Sequence, residues 1–232
     1  MEQVTENVFT NTKLRGCNPS FVKTSDGVVV VDTPQLPTKA VAMREEAESH
    51  GPIRYLINTE HHVDHIFGNY YFRGAGTVIH HQGVYDNFMT VTPDLDPYAY
   101  ALEAIPTDDP EGEAIFPERD AYYADNNKAT IIFTGDVTLD VGDHRFELLW
   151  TPGHTPGSHC IGVGPVIFTG DTLFPGGPGA TQGPAAFTQI MESLDTHLFT
   201  RPDDTMILPG HGLHTTIGAE RASVEDWRRR GW

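Results

Sequence analysis

The sequence predicts a layered α/β fold in which two β-rich halves, each followed by helices, pack sheet on sheet with helices outside. Three observations predict it. The 232 residues are 38% hydrophobic and 10% aromatic, with no long charge block, so a sizeable core is available and disorder is not expected. Short apolar strand patterns bounded by Gly, Pro, Asn and Asp recur in both halves. Their order is strands, helix, strand, helix, insertion, then strands, helix, strand, helix, with no fixed-period repeat. A single domain over 1–232 is expected.

In chain order, Val4 to Lys13 alternates weakly and reads as an edge strand. Phe21 to Lys23 and Val28 to Val31 form a hairpin across the Asp26-Gly27 turn. Pro37 to His50 has helical composition and stops at Gly51-Pro52. Arg54 to Asn58 and Thr77 to Ile79 are strands, and a helix begins near Gln82. Pro93 to Asn127 changes character: five prolines, many carboxylates and Tyr98, Tyr100, Tyr122 and Tyr123 mark an insertion, either a lid over a site or a surface loop. Strands resume at Ile131 to Phe133, Val137 to Leu139 and Arg145 to Trp150, followed by a hairpin of His159 to Val163 with Val166 to Phe168. Phe187 to Phe199 is helical, Thr205 to Leu208 is a strand, and Ile217 to Arg230 is a closing helix with a basic end.

Charge narrows the function classes. With 32 acidic and 15 basic residues the formal charge is −17. Such a surface repels phosphate backbones and anionic membranes, so neither nucleic acid nor a membrane is an expected partner. No apolar stretch approaches the roughly 20 residues of a membrane span. Cys17 and Cys160 form no CxxC pair, and Met-Glu-Gln-Val-Thr-Glu does not read as a signal peptide. A reducing cytoplasm is the expected compartment.

Five short segments, each at the end of a predicted strand, carry the chemistry: Val31-Asp32-Thr33, Thr59 to His65, Thr151 to Ser158, Thr169 to Thr172, and Pro209 to Gly212. Glycine and proline surround the polar residue in most of them, which makes tight loops that approach a small ligand closely. Glu60-His61-His62-Val63-Asp64-His65 packs three histidines and two acids into six residues. A divalent metal with imidazole and carboxylate ligands both neutralises and orders such a run.

Taken together, these motifs resemble the metallo-β-lactamase superfamily over nearly the whole chain. The resemblance implies a four-layer αββα sandwich with metals in a cleft at one edge of the two sheets. The family's His-x-His-x-Asp-His motif aligns with Glu60, His62, Asp64 and His65, and its later motifs with His154, Asp171 and His211. The first two motif positions and His154 are implied to hold one metal, and Asp64, His65 and His211 the other, with Asp171 bridging. Glu60 departs from the pattern. It ligates through oxygen, or the first site is weakened, or His61 swings in. Zinc is the expected ion, one or two per chain, with iron or manganese favoured by an oxygen-richer set. Asp32 resembles the aspartate that orients the histidine loop rather than binding metal.

The expected function is a metal-dependent hydrolase whose metal-bound hydroxide attacks an ester, lactone, thioester or amide carbonyl of a small molecule. Asp64 and Asp171 are the expected catalytic carboxylates. Phe174, Gly176 and Gly177, in the Gly/Pro-rich run after Asp171, are candidates for the substrate pocket. The alternatives are an iron-dependent oxidoreductase or dioxygenase on the same fold, a phosphodiesterase, and a non-catalytic metal-binding protein. Substrate identity and oligomeric state are not legible.

Overall fold

The computed structural model describes residues 1–232. Its first sheet has seven strands in sequential order: β1 (Glu2–Gln3), β2 (Val8–Thr10), β3 (Ser20–Thr24), β4 (Gly27–Val31), β5 (Ile53–Ile57), β6 (Thr77–His81) and β7 (Ile131–Phe133). β1 to β4 are antiparallel neighbours, and β4 to β7 are parallel. The chain then passes to β8 (Val137–Val141), β9 (His144–Trp150), β10 (His159–Val163) and β11 (Val166–Gly170). A small hairpin follows, β12 (Leu173–Phe174) with β13 (Gly177–Pro178). After it come β14 (Met206–Pro209) and β15 (Thr215–Thr216), which complete a second sheet of order β15-β14-β11-β10-β9-β8.

Period-2 alternation assigns the layers. In the all-valine stretch of β4, Val29 and Val31 face the second sheet, where they meet Phe146, Leu148, Ile161 and Phe168. Val28 and Val30 face outward onto Ala40, Met43 and Ala47 of α1 (Pro37–Ser49). Because both faces are covered, the strand carries no polar residue. The outer face of the second sheet is covered in the same way. Ile167 and Ile207 pack against α6 (Pro184–Ser193), the π turn Leu194–Leu198, α7 (Ile217–Arg221) and α8 (Val224–Arg230). The result is the expected αββα sandwich.

Four helices lie between these layers in sequence: α2 (Val63–Ile66), α3 (Gln82–Asn87), α4 (Pro97–Asp108) and α5 (Arg119–Ala124). Within 93–127, Asp96 caps α4 by accepting from Tyr98 N and Ala99 N, with Pro97 at the first helical position. Tyr122 of α5 is fully buried and stacks on Phe67, ring centroids 4.6 Å apart. Of the four tyrosines, Tyr122 therefore belongs to a core, whereas Tyr100 is exposed.

Two expectations need correction. The stretch Val4 to Lys13 is not one strand. Thr5 Oγ1 accepts from Asn7 N and Val8 N, and this local turn breaks it into β1 and β2. The closing helix is two helices, α7 and α8, separated by a turn at Ala222-Ser223, so that Ile217, Val224 and Trp227 all reach one core. No helix is long and apolar enough to cross a membrane.

Candidate metal centre

Strand direction gathers the five motifs. β4 and β5 are parallel, β11 and β14 are parallel, and β9 runs with β11 because β10 is antiparallel to both. The C-terminal ends of all five carry the motif loops. Two groups of donors form there: Glu60, His62, His154 and Asp171, and beside them Asp64, His65 and His211. Within each group the candidate ligand atoms lie within 4.8 Å of one another.

Asp171 reaches both groups. Its Oδ1 is 3.6 Å from His65 Nε2, and its Oδ2 is 3.6 Å from His154 Nε2 and 3.4 Å from His211 Nε2. Glu60 also faces both. Oε2 lies 3.0 Å from His62 Nδ1 and 3.4 Å from His154 Nε2, while Oε1 lies 3.3 Å from His65 Nε2. Asp64 Oδ2 is 3.3 Å from His211 Nε2. His61 is outside both groups. Its side chain lines a pocket next to His62 instead.

The donor set fits a cation. Glu60 Oε1 and Oε2, His65 Nε2 and Asp171 Oδ1 are buried and have no hydrogen-bond partner. Leaving such groups unpaired costs about 1–3 kcal/mol each, more when charged, unless an ion satisfies them. Titration points the same way. Burial opposes ionisation of Glu60, but His65, His154 and His62 outweigh it and hold the carboxyl well below the usual range. Burial likewise opposes charging of His65, yet Asp32, Asp64 and Glu60 raise it well above an ordinary histidine. For His154, burial is overcome by Glu60 and the group rises to about 9. A hydrogen bond donated to Asp171 raises His211. The raised His65, His154 and His211 favour a proton where a cation would sit, so binding a cation there would release protons.

A supporting layer aims these donors. Asp32 Oδ1 accepts from Thr59 N at 2.7 Å, and its Oδ2 accepts from Thr59 Oγ1 at 2.6 Å and from His65 Nδ1 at 2.9 Å. That leaves His65 Nε2 pointing at the cluster. Asp32 is held at φ 56°, a backbone conformation that non-glycine residues seldom take. Replacing Asp32 by Ala should weaken metal affinity about 10–100-fold. Titration of the variant with zinc against a chromogenic chelator checks this, and an unchanged affinity would exclude the orienting role. At the opposite wall, Gly210 must lack a side chain. A Cβ there would collide with Asp171 Oδ1 and lie 2.9 Å from His65 Cε1.

Asn18 and Asn58 carry no sequence signal of their own, whereas Thr33, Thr151 and Thr172 lie within the motif segments. Asn58 Nδ2 and Thr33 N donate to His65 O, at 2.8 and 3.0 Å. Asn18 Nδ2 donates to Pro209 O and Gly212 O, clamping the His211 loop from 191 and 194 positions away. Thr172 and Thr151, 3.0 Å apart through their hydroxyls, tie the Asp171 loop to the His154 loop. Of the candidate pocket residues, Phe174 lies 6.3 Å from the His211 ring. Gly176 and Gly177 turn away: Gly176 N donates to Glu220 Oε2, and Gly177 faces Arg230 and Trp227. The later part of the same loop borders the site instead. Ala180 O accepts from His154 Nδ1 at 2.7 Å, and Gln182 lines the pocket beside His62.

His80 and His159 are buried close to this layer. His80 Nε2 donates to Asn58 Oδ1. Burial, with the neighbouring His159 and Lys128, depresses His80 to about 3, and burial depresses His159 to about 4. An unfolded histidine titrates near 6.5, so the unfolded chain binds more protons below that pH. Stability should therefore fall as the pH drops from about 6.5 towards 4. Urea midpoints across that range, compared with His80→Gln, check it; a pH-independent difference between the two proteins would contradict the depressed value.

Residues 12–226 match the family model of the metallo-beta-lactamase superfamily. The chain belongs to that superfamily. Among curated superfamily relatives, the hydroxyacylglutathione hydrolase GloC of Haemophilus influenzae is 43% identical over 90 residues, which are 37% of this chain and 42% of that protein. The solved structure of the BLEG-1 B3 metallo-beta-lactamase superposes with TM-score 0.69 at 21% identity, covering 93% of this chain and 96% of that one. TTHA1623, described in a di-iron-bound form, superposes with TM-score 0.61 at 24% identity, covering 92% and 96%. These two structural likenesses establish the superfamily's fold.

Proposed function

We propose that the protein is a metal-dependent hydrolase acting on an ester, lactone, thioester or amide carbonyl of a small molecule. Glu60, His62, His154 and Asp171 would hold one divalent cation, and Asp64, His65 and His211, with Asp171, a second. The observation that carries this reading is the convergence of seven donors, several buried and unpartnered, at one sheet edge. Hydrolysis by the GloC relative is in keeping with it.

Divalent cations, if held there, would supply the Lewis acidity that polarises a carbonyl and eases deprotonation of water. The chain's own residues manage the proton. Asp64, through the carboxylate oxygen not committed to a cation, would take one proton from the attacking water as its hydroxyl adds to the carbonyl carbon. When the carbon–heteroatom bond breaks, that proton passes to the departing oxygen, sulfur or nitrogen. Asp32 keeps His65 fixed throughout.

Zinc is the proposed ion. Iron is its competitor, because three carboxylates among seven donors make the set oxygen-rich. Metal analysis of the purified protein, with carbonyl-substrate hydrolysis followed alongside oxygen uptake, tests the reading. Two zinc ions per chain with oxygen-independent turnover are expected, and both should be lost in His154→Ala. Oxygen consumption coupled to turnover, or full activity in that variant, would overturn it.

A further inference from the structure

Two pockets meet at His62. One, of about 270 Å³, is polar and includes His61, Asn87, Thr155, Gln182 and Gln189. The other, of about 260 Å³, is bounded by Val63, Asp64, Leu95 and Tyr100 as well as His62. Each is smaller than the range of about 300–1,000 Å³ usual for a whole small-molecule site, so each accommodates one arm of a ligand. His62 belongs to the donor group, so the atom shared by the two arms lies against the cluster.

No lysine or arginine lines either pocket. An anionic arm would lose its water there with no lysine or arginine to replace it, which is costly. The side chains of Gln182 and Gln189 make no hydrogen bond within the chain and are exposed to the pocket, and Asn87 donates only to Gly83 O. Each amide offers both a donor and an acceptor, the complement of a neutral amide or hydroxyl. The cluster between the pockets holds three carboxylates, Glu60, Asp64 and Asp171, which offset most of the charge of two divalent cations. The net charge of −17 further disfavours approach of anions.

We propose that the site selects uncharged acyl esters or thioesters: an apolar acyl arm against Val63, Leu95 and Tyr100, and a leaving arm bearing a neutral amide or hydroxyl among Asn87, Gln182 and Gln189. This rests on the hydrolase reading above. Hydrolysis adds the hydroxyl of water to the acyl carbon and its hydrogen to the leaving sulfur or oxygen as that bond breaks. Gln182 and Gln189 determine specificity without touching the reacting atoms.

The test uses the metal-loaded protein and two hexanoyl thioesters, one of N-acetylcysteamine, which carries a neutral amide, and one of 3-mercaptopropionate, which carries a carboxylate. Their non-hydrolysable thioether counterparts are measured by calorimetry. The neutral arm is expected to win by about tenfold or more in kcat/KM and in affinity, a difference of about 1.4 kcal/mol. Gln182→Lys with Gln189→Lys should shift the preference towards the carboxylate by a similar factor. Equal or better binding and turnover of the carboxylate arm by the wild-type protein would overturn the proposal, as would failure of the neutral thioether to bind. Preferred binding of the neutral thioether without hydrolysis of either thioester would support this selectivity while refuting the hydrolase reading.

Discussion

Replacing Asp171 by Asn is expected to remove at least one cation from the purified protein and to slow carbonyl hydrolysis about 10³-fold, the scale of several kcal/mol of Lewis-acid stabilisation. The side chain keeps its shape, so the effect is one of charge and donor type. Asp171 Oδ1 faces His65, and Oδ2 faces both His154 and His211, which places the carboxylate between the two donor groups. An amide in its place carries no charge to offset the cations, and it can turn N–H groups towards imidazole nitrogens that must stay free to bind metal. The backbone should be unaffected, because Asp171 sits at the end of β11, whose parallel pairing with β14 does not use the side chain. Metal content and kcat/KM measured together on a folded variant decide the matter. Two cations per chain with wild-type kcat/KM would remove Asp171 from the centre.

Chelation should lower the thermal midpoint by about 8–16 °C. A cation that binds only the folded chain stabilises it by about 4 kcal/mol when present at a thousandfold its dissociation constant. For a chain of this length each kcal/mol corresponds to about 2–4 °C. The structural basis is the set of buried atoms without partners, both oxygens of Glu60 together with His65 Nε2 and Asp171 Oδ1. Without a cation, only the nearby imidazoles offset the buried carboxylate charge, in keeping with the raised values of His65 and His154. Zinc added after chelation should restore the midpoint, and His65→Ala should lose most of the response. A midpoint indifferent to chelator in the wild-type protein would mean that the cluster is stable without a cation.

Much of this centre was legible one residue at a time. The run Glu60 to His65 stands out because imidazoles and carboxylates so close together need something to neutralise them, and the Pro-Gly-His and Thr-Gly-Asp loops stand out because glycine permits close approach. The strand patterns were legible for a similar local reason: valines at every position of Val28 to Val31 require cover on both faces. Local patterns failed where a side chain redirected its own backbone, as Thr5 does between β1 and β2.

The sequence by itself determined the types of donor, their order along the chain and the layered class of the fold, because these depend on composition and short-range periodicity. The tertiary structure decided which donors lie within reach of one another. It set the two oxygens of Glu60 against different histidines and left His61 outside the cluster. It also recruited Asn18 and Asn58 as clamps and turned Gly176 and Gly177 away from the site. These outcomes depend on strand direction and on contacts between residues far apart in the chain, and no local pattern encodes either.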